Sequence, residues 1–344
     1  MSGEKVETVL ELIDYNNYLE EVRRAIDVEL LNLTSKIADL RLREKIKYVL
    51  QTQGKRLRPI LVLLSAQSVG GNADNVKKLA LAIELLHSAT LIHDDILDQD
   101  LFRRNAPTAN AKWGVRDAVL VGDALASISL HMAAEYDKEI IGIFSNTCLL
   151  LSDGEYMDLE KPMKVRSEID YLEMIRKKSA SLFKAATECG AIAARAPRQE
   201  IDALGRFGEN FGLAYQVKDD LSDVLPTEDF LPQDINEFRV TLPIIHLCKS
   251  LRPTERYSML KAIASMKTQS PAENKSTLNK LRKSLETTGS VNYCMNKINQ
   301  HSDAAVASLE PLKQSVYKDY LIRTANLLKL RLARAASTAL ILEK

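Results

Sequence analysis

Residues 74–98 read DNVKKLALAIELLHSATLIHDDILD, an apolar run that ends in three aspartates, Asp94, Asp95 and Asp98. Leu, Ala and Ile dominate it and it contains neither Gly nor Pro, so it reads as one helix. The same D-D-x-x-D spacing returns 125 residues further on as Asp219, Asp220 and Asp223, inside a second apolar helical stretch at 198–225. Positions i and i+4 of a helix share a face, so Asp94 lies over Asp98 and Asp219 over Asp223. Like charges one turn apart repel, and carboxylates against apolar surface are costly unless a cation neutralises them. A solvated acidic face would explain one such motif. Two in one chain point to a shared cation load, most simply Mg²⁺, which takes few carboxylates and completes its shell with phosphate oxygens. The expected chemistry is that of an enzyme acting on a phosphorylated substrate through bridging metals.

The bulk composition narrows the field. With 344 residues and 46% hydrophobic content, the chain can bury a large core. Lys+Arg number 47 against 46 Asp+Glu, so no basic field points to a nucleic-acid partner. Cys148, Cys189, Cys248 and Cys294 are scattered without C-x-x-C spacing and read as reduced thiols of a cytoplasmic protein. Asp123 interrupts the longest apolar run, Ala118 to Ala134, so no transmembrane segment is expected.

Gly (13) and Pro (10) are sparse, strand alternation is missing, and helices are expected throughout. The expected spans are 17–34, 36–51, 57–69, 74–98, 115–135, 138–161, 168–190, 198–225, 241–250, 254–266, 275–287, 291–308 and 315–342. Asp74 is the expected N-cap of the first aspartate helix. Thr268 to Lys275 is the best loop candidate, yet no linker divides the chain, so 1–344 reads as one all-α domain, a helical bundle around a central cavity.

Three basic clusters could meet a diphosphate. Gly54-Lys55-Arg56-Leu57-Arg58-Pro59 surrounds a turn and a helix start, where backbone N–H groups also point outward. Arg103-Arg104-Asn105-Ala106-Pro107-Thr108 follows the first acidic motif on a loop, and Lys177-Lys178-Ser179 lies within a long helix. Each alone is an ordinary solvated surface; with two acidic motifs they form a set in which acid binds metal, metal binds diphosphate, and base binds what remains.

From about residue 50 to 245 the ordered set resembles the trans-isoprenyl (polyprenyl) diphosphate synthases of medium- and long-chain type. The resemblance rests on Gly54 to Pro59, His87, His93 to Asp98, Arg103-Arg104, Pro107-Thr108, Lys178-Ser179, Tyr215-Gln216, Asp219 to Asp223 and Thr241-Leu242-Pro243. It implies an isoprenoid-synthase-type bundle, two or three Mg²⁺ ions per site, isopentenyl diphosphate and an allylic diphosphate as substrates, and a homodimer. It implies that Lys55, Arg58, His87 and Arg104 hold isopentenyl diphosphate. Asp94, Asp98, Asp219 and Asp223 carry the metal, with Asp95 and Asp220 joining the catalytic set. Arg103, Lys178 and Gln216 contact the allylic substrate, with His93 and Ser179 beside them. Two departures stand out: the segment Val224 to Gln233 is shorter than the family's loop and lacks its lysine, and Arg239 stands where a further lysine is expected.

The reaction so implied is ionisation, condensation and elimination, adding isopentenyl diphosphate head to tail. Two other readings compete: a class I terpene cyclase, disfavoured by the second all-aspartate motif, and a non-catalytic subunit of a heteromeric synthase, suggested by the shortened loop. Product length follows from the residues deeper along the first aspartate helix. Short-chain members of the family place Tyr or Phe five or four residues before the first aspartate; here these positions are Ala89 and Thr90. The chain is then not stopped at this level, and the next floor is Leu86 or Leu85, or a side chain from the helix with Leu125, Ile128 and His131. The expected product has five to eight isoprene units.

Overall fold

The computed structural model describes residues 3–52, 54–159, 165–225, 239–266 and 271–329. Helix follows helix: α1 (Gly3–Thr34), α2 (Leu40–Gln51), α3 (Leu57–Ser68) and α4 (Ala73–Leu97). A short hairpin, β1 (Phe102–Arg103) and β2 (Ala106–Pro107), interrupts them. Then come α5 (Ala109–Trp113), α6 (Val115–Ala133), α7 (Lys138–Leu159), α8 (Glu168–Ile175), a π turn (Arg176–Ala180), α9 (Ser181–Ala193) and α10 (Arg198–Val224). The series closes with α11 (Leu242–Ser250), α12 (Pro253–Ser265), α13 (Pro271–Thr287), α14 (Ser290–Ser308) and α15 (Val316–Asn326). The fold class is all-α, as the composition implies.

The chain forms two compact units. The first comprises 1–146, 185–205 and 311–321; the second comprises 147–184, 206–310 and 322–344.

The first unit is built around α4. Val76, every residue from Leu79 to Leu86, Ala89 and Ile92 are buried, so α4 is apolar nearly all round, as suits a central helix. It packs on α3 and α6. Ser129 of α6 donates its hydroxyl to the Ala82 carbonyl of α4 at 2.7 Å, and a Cβ on Gly122 of α6 would collide with the His93 ring. The cap of α4 is Asn72, whose Oδ1 accepts from the Asp74 N–H at 2.9 Å; the cap lies two residues before the expected Asp74. Both residues carry the side-chain oxygen that a cap needs, so side-chain chemistry alone does not separate them.

In the second unit, α11 packs on α14, and Phe183, Phe207, Phe211 and Tyr215 form an aromatic cluster on α9 and α10. Glu168 at the start of α8 accepts from Tyr293 Oη at 2.6 Å and Lys297 Nζ at 2.9 Å, tying α8 to α14.

Three expectations are corrected. The span 168–190 is not one α-helix, because five residues adopt π geometry. The expected 315–342 helix ends at Asn326, and residues 330–344 lie outside the described part. The loop sought at Thr268 to Lys275 already contains helix from Pro271, while 267–270 lie outside it. Among the described residues, no helix is long and apolar enough to cross a membrane.

Candidate active site

In the first unit, α4 delivers the first acidic motif at its C-terminus. The Asp98 N–H donates to the Asp94 carbonyl at 2.8 Å, so the two carboxylates stand one turn apart, both half-buried. Asp95 points elsewhere: it is 4% exposed, and Arg103 Nε of the hairpin reaches its Oδ1 at 2.5 Å. Burial pushes the Asp95 carboxyl up to about 6, against the pull of Arg103. Asp95 and Arg103 line a cleft together with Tyr48 of α2, Thr52 just past its end, Ser88 and Ile92 of α4, and Arg104.

The basic residues gather around His87. Arg58 Nη1 lies 3.0 Å from His87 Nε2, and since a guanidinium can only donate, Nε2 accepts and the imidazole proton sits on Nδ1. Burial, then Arg58, Arg104, Arg103 and Arg56, hold this histidine well below its ordinary pKa, so it is neutral. Gly54 lets the Arg104 guanidinium lie against the backbone; a Cβ there would come within 2.6 Å of Arg104 Nη1. Arg104 is thereby brought to the loop that carries Lys55, which is exposed.

The Gly54–Pro59 cluster does not act as three equivalent cations. Arg56 turns inward, 5% exposed, with left-handed backbone at φ 49°. Its guanidinium bonds Asp27 at 2.8 Å, Glu84 at 2.7 Å and the Leu50 carbonyl at 2.9 Å. This arginine fastens the loop to α1, α2 and α4.

In the second unit, α10 carries the second motif with the same division of labour. Asp219 and Asp223 are exposed, one turn apart; Asp220 is 5% exposed. Asp220 Oδ2 accepts from Tyr171 Oη at 2.5 Å and Oδ1 from Gln216 Nε2 at 2.7 Å. Gln216 Oε1 in turn accepts from Ser179 Oγ at 2.6 Å. Burial, helped by the charges of Asp219 and Asp223, pushes Asp220 up to about 7 despite these hydrogen bonds.

Lys178 sits in the π turn. Such turns insert one residue into the helix ladder and recur at functional sites. Gly154 of α7 lets the Lys178 backbone approach, since a Cβ there would collide with the Lys178 nitrogen. The Lys178 ammonium meets Glu155 at 2.8 Å and Asp158 at 2.9 Å, both on α7. Arg239 Nε stands 3.8 Å from Asp158 and Arg166 Nη2 3.2 Å from it. Burial works to raise the Asp158 carboxyl, but Lys178, Arg239 and Arg166 outweigh it and hold the group below its ordinary range.

The donor set suits a hard cation. Each motif offers two carboxylates one turn apart, and among the described residues no three His, Cys, Asp or Glu side chains gather to hold an ion by themselves. An ion that keeps few carboxylates and fills its shell with water or phosphate oxygens, as Mg²⁺ does, fits such pairs.

The sequence profile of the polyprenyl synthetases matches residues 39–281. The chain belongs to this family. This synthase is a trans-prenyltransferase, and members of the family use a divalent metal. It is 35% identical over 295 residues to the all-trans-nonaprenyl-diphosphate synthase (geranyl-diphosphate specific) of Rhodobacter capsulatus, with 84% of this chain and 87% of that one covered. Among solved structures, the geranylgeranyl pyrophosphate synthetase of Pyrococcus horikoshii Ot3 superposes with a TM-score of 0.85 at 28% identity, covering 93% and 99% of the two chains. A polyprenyl synthase from Caulobacter crescentus CB15, complexed with calcium and isoprenyl diphosphate, gives 0.83 at 26% identity, covering 95% and 98%.

Within the first unit, the structure of this synthase brings Arg58, His87, Arg103 and Arg104 together near the end of α4. Within the second, it brings Lys178 and Arg239 together on Asp158, and Ser179, Gln216 and Asp220 into one chain of hydrogen bonds. His93 lies over Gly122, with Nε2 3.7 Å from Asp123 Oδ1. Ala89 and Leu86 are buried on α4, and the Thr90 hydroxyl is satisfied by the His87 carbonyl at 2.9 Å. Most of the segment Val224 to Gln233 lies outside the described residues. Sequence reasoning passed over Tyr171, Gly154, Glu155 and Asp158. The last three carried a signal: a glycine followed by two carboxylates three residues apart on one helix.

Proposed function

We propose that residues 1–344 work as one synthase domain that adds isopentenyl diphosphate head to tail to an allylic diphosphate, giving a product of five to eight isoprene units. The observation that carries this reading is the repeated sorting of the two motifs. In each, the middle aspartate is buried against protein donors while the outer two stand one turn apart and more exposed. Asp94, Asp98, Asp219 and Asp223 are then the metal carboxylates, for two or three Mg²⁺ ions. Asp95 and Asp220 serve the catalytic set from behind. When bound, Mg²⁺ would neutralise the allylic diphosphate and draw charge from its leaving oxygen.

Lys178, with Arg239 beside it, and Arg103 stabilise the negative charge that develops on the diphosphate as the allylic C–O bond breaks. Ser179 and Gln216 lie beside Lys178 and orient this end of the substrate. Lys55, Arg58 and Arg104 hold the diphosphate of isopentenyl diphosphate, and neutral His87 fixes Arg58 through Nε2. The double bond of isopentenyl diphosphate then attacks the allylic cation, and the departing diphosphate takes the proton whose loss restores the alkene. Apolar walls exclude the water that would quench the cation. The α4 residues before Asp94 set the depth available to the product; Ala89 and Thr90 leave room, and Leu86 or a deeper residue forms the floor. The homodimer and the cytoplasm remain the proposed assembly and location.

Incubating the purified chain with isopentenyl diphosphate, geranyl diphosphate and Mg²⁺ tests this reading. Linear products of five to eight units support it. Cyclic hydrocarbon without uptake of isopentenyl diphosphate would instead mark a cyclase, and no turnover a non-catalytic subunit.

A further inference from the structure

Tyr171 and Ser179 are eight residues apart, yet both reach the same stripe of α10. On an unbroken α-helix, positions seven apart share a face and positions eight apart are rotated about a quarter turn. The π turn at Arg176–Ala180 supplies one extra residue and brings the pair onto one face. The stripe they meet is Gly212, Gln216 and Asp220, each one turn from the next. Gly212 permits the close approach, since a Cβ there would lie 2.6 Å from the Ala180 Cα. Along this seam four polar side chains form a line: Ser179 donates to Gln216, and Gln216 and Tyr171 both donate to Asp220. Tyr171 is 0% exposed, so its phenol serves this contact from inside the core. Both carboxylate oxygens of Asp220 and both ends of the Gln216 amide are committed, which fixes the amide orientation. A seam needed only for packing would be served as well by apolar residues, without a buried carboxylate.

We propose that Tyr171 is a positioning residue for prenyl transfer: by holding Asp220, and through it Gln216 and Ser179, it sets the α10 face bearing Asp219 and Asp223 in register with the π turn bearing Lys178. This rests on the prenyl-transfer reading of the site. The register governs only the end of the site that binds the allylic diphosphate. Loss of the phenol therefore weakens that substrate and leaves isopentenyl diphosphate binding, assigned to residues of the first unit, untouched.

The test is Tyr171→Phe in the full chain, which keeps the ring and removes one donor. Binding of geranyl S-thiolodiphosphate, a non-ionising allylic analogue, is measured by calorimetry with and without Mg²⁺, beside steady-state kinetics and thermal melting. The expected result is about tenfold weaker Mg²⁺-dependent analogue binding and at least a tenfold lower kcat, with KM for isopentenyl diphosphate within twofold of wild type. If Tyr171→Phe melts below the assay temperature, binding and kinetics of wild type and Tyr171→Phe measured side by side below that melt carry the test. Unchanged analogue affinity, or equal losses for both substrates, would overturn the positioning role. Wild-type protein that neither binds the analogue nor makes product would tell against the prenyl-transfer reading itself.

Discussion

Lys178 and Asp158 form an ion pair, with Nζ 2.9 Å from Oδ2, and Arg239 approaches the same carboxylate at 3.8 Å. One half-buried acid on α7 therefore orients two of the cations assigned to the allylic diphosphate. Asp158→Asn should loosen both and raise the allylic KM about tenfold, in line with the loss of one charge-assisted contact of about 1.5–3 kcal/mol. Arg104→Ala should do the reverse, raising KM for isopentenyl diphosphate. Steady-state kinetics with each substrate varied in turn checks the division, and equal effects on both substrates in either variant would refute it.

Arg56 and Glu84 are both nearly inaccessible, their side chains 3% and 5% exposed, and 2.7 Å apart. Removing one partner of a buried pair leaves the other charge stranded, at about 3–5 kcal/mol. Arg56→Ala should lose stability on that scale in urea unfolding, whereas Lys55→Ala, at an exposed position, should leave stability nearly unchanged. Similar midpoints for the two variants would mean that Arg56 does not fasten the loop.

How much of this was legible beforehand differs by feature. The helical class followed from composition, and the spans 74–98 and 198–225 match Ala73–Leu97 and Arg198–Val224 to within a residue. Both acidic pairs one turn apart followed from spacing alone. Which aspartate turns inward did not, because adjacent residues on a helix differ by only about 100° and the core side is set by partners far away in sequence. Tyr171, 49 residues from Asp220, is such a partner. The π turn left no mark, since it changes the hydrogen-bond ladder and not the residue types. The hairpin escaped because its strands are two residues each, too short for any alternation to show.

Glu168 supplies a pH test. Although burial works against it, hydrogen bonds from Tyr293, Lys297 and Lys249 hold its carboxyl at about 2, below the ordinary value of 4.5. A depressed carboxyl contributes stability above its unfolded pKa and loses it as the pH falls towards the folded pKa. Wild type should therefore melt a few degrees above Glu168→Gln at pH 7, and the gap should close between pH 4.5 and about 2. A gap independent of pH would show that the α8–α14 contact does not depend on this charge.

Ala89 is 2% exposed on α4 and stands five residues before Asp94. Ala89→Phe should shorten the dominant product to three or four units while the first condensation proceeds. Overpacking should cost about 1–3 kcal/mol of stability. Chromatography of the dephosphorylated products gives the lengths. Unchanged lengths, or a wild-type product of only three or four units, would contradict this account of the cavity.

The most direct measurement is incorporation of labelled isopentenyl diphosphate into prenyl product by wild type, Asp94→Ala and Asp219→Ala under saturating Mg²⁺. Each substitution removes one carboxylate from one motif, and easing the like-charge repulsion within its pair should leave the fold intact. The account predicts label in linear product for wild type and at least a hundredfold loss in both variants, with melting temperatures retained. Wild-type incorporation by either variant would contradict it.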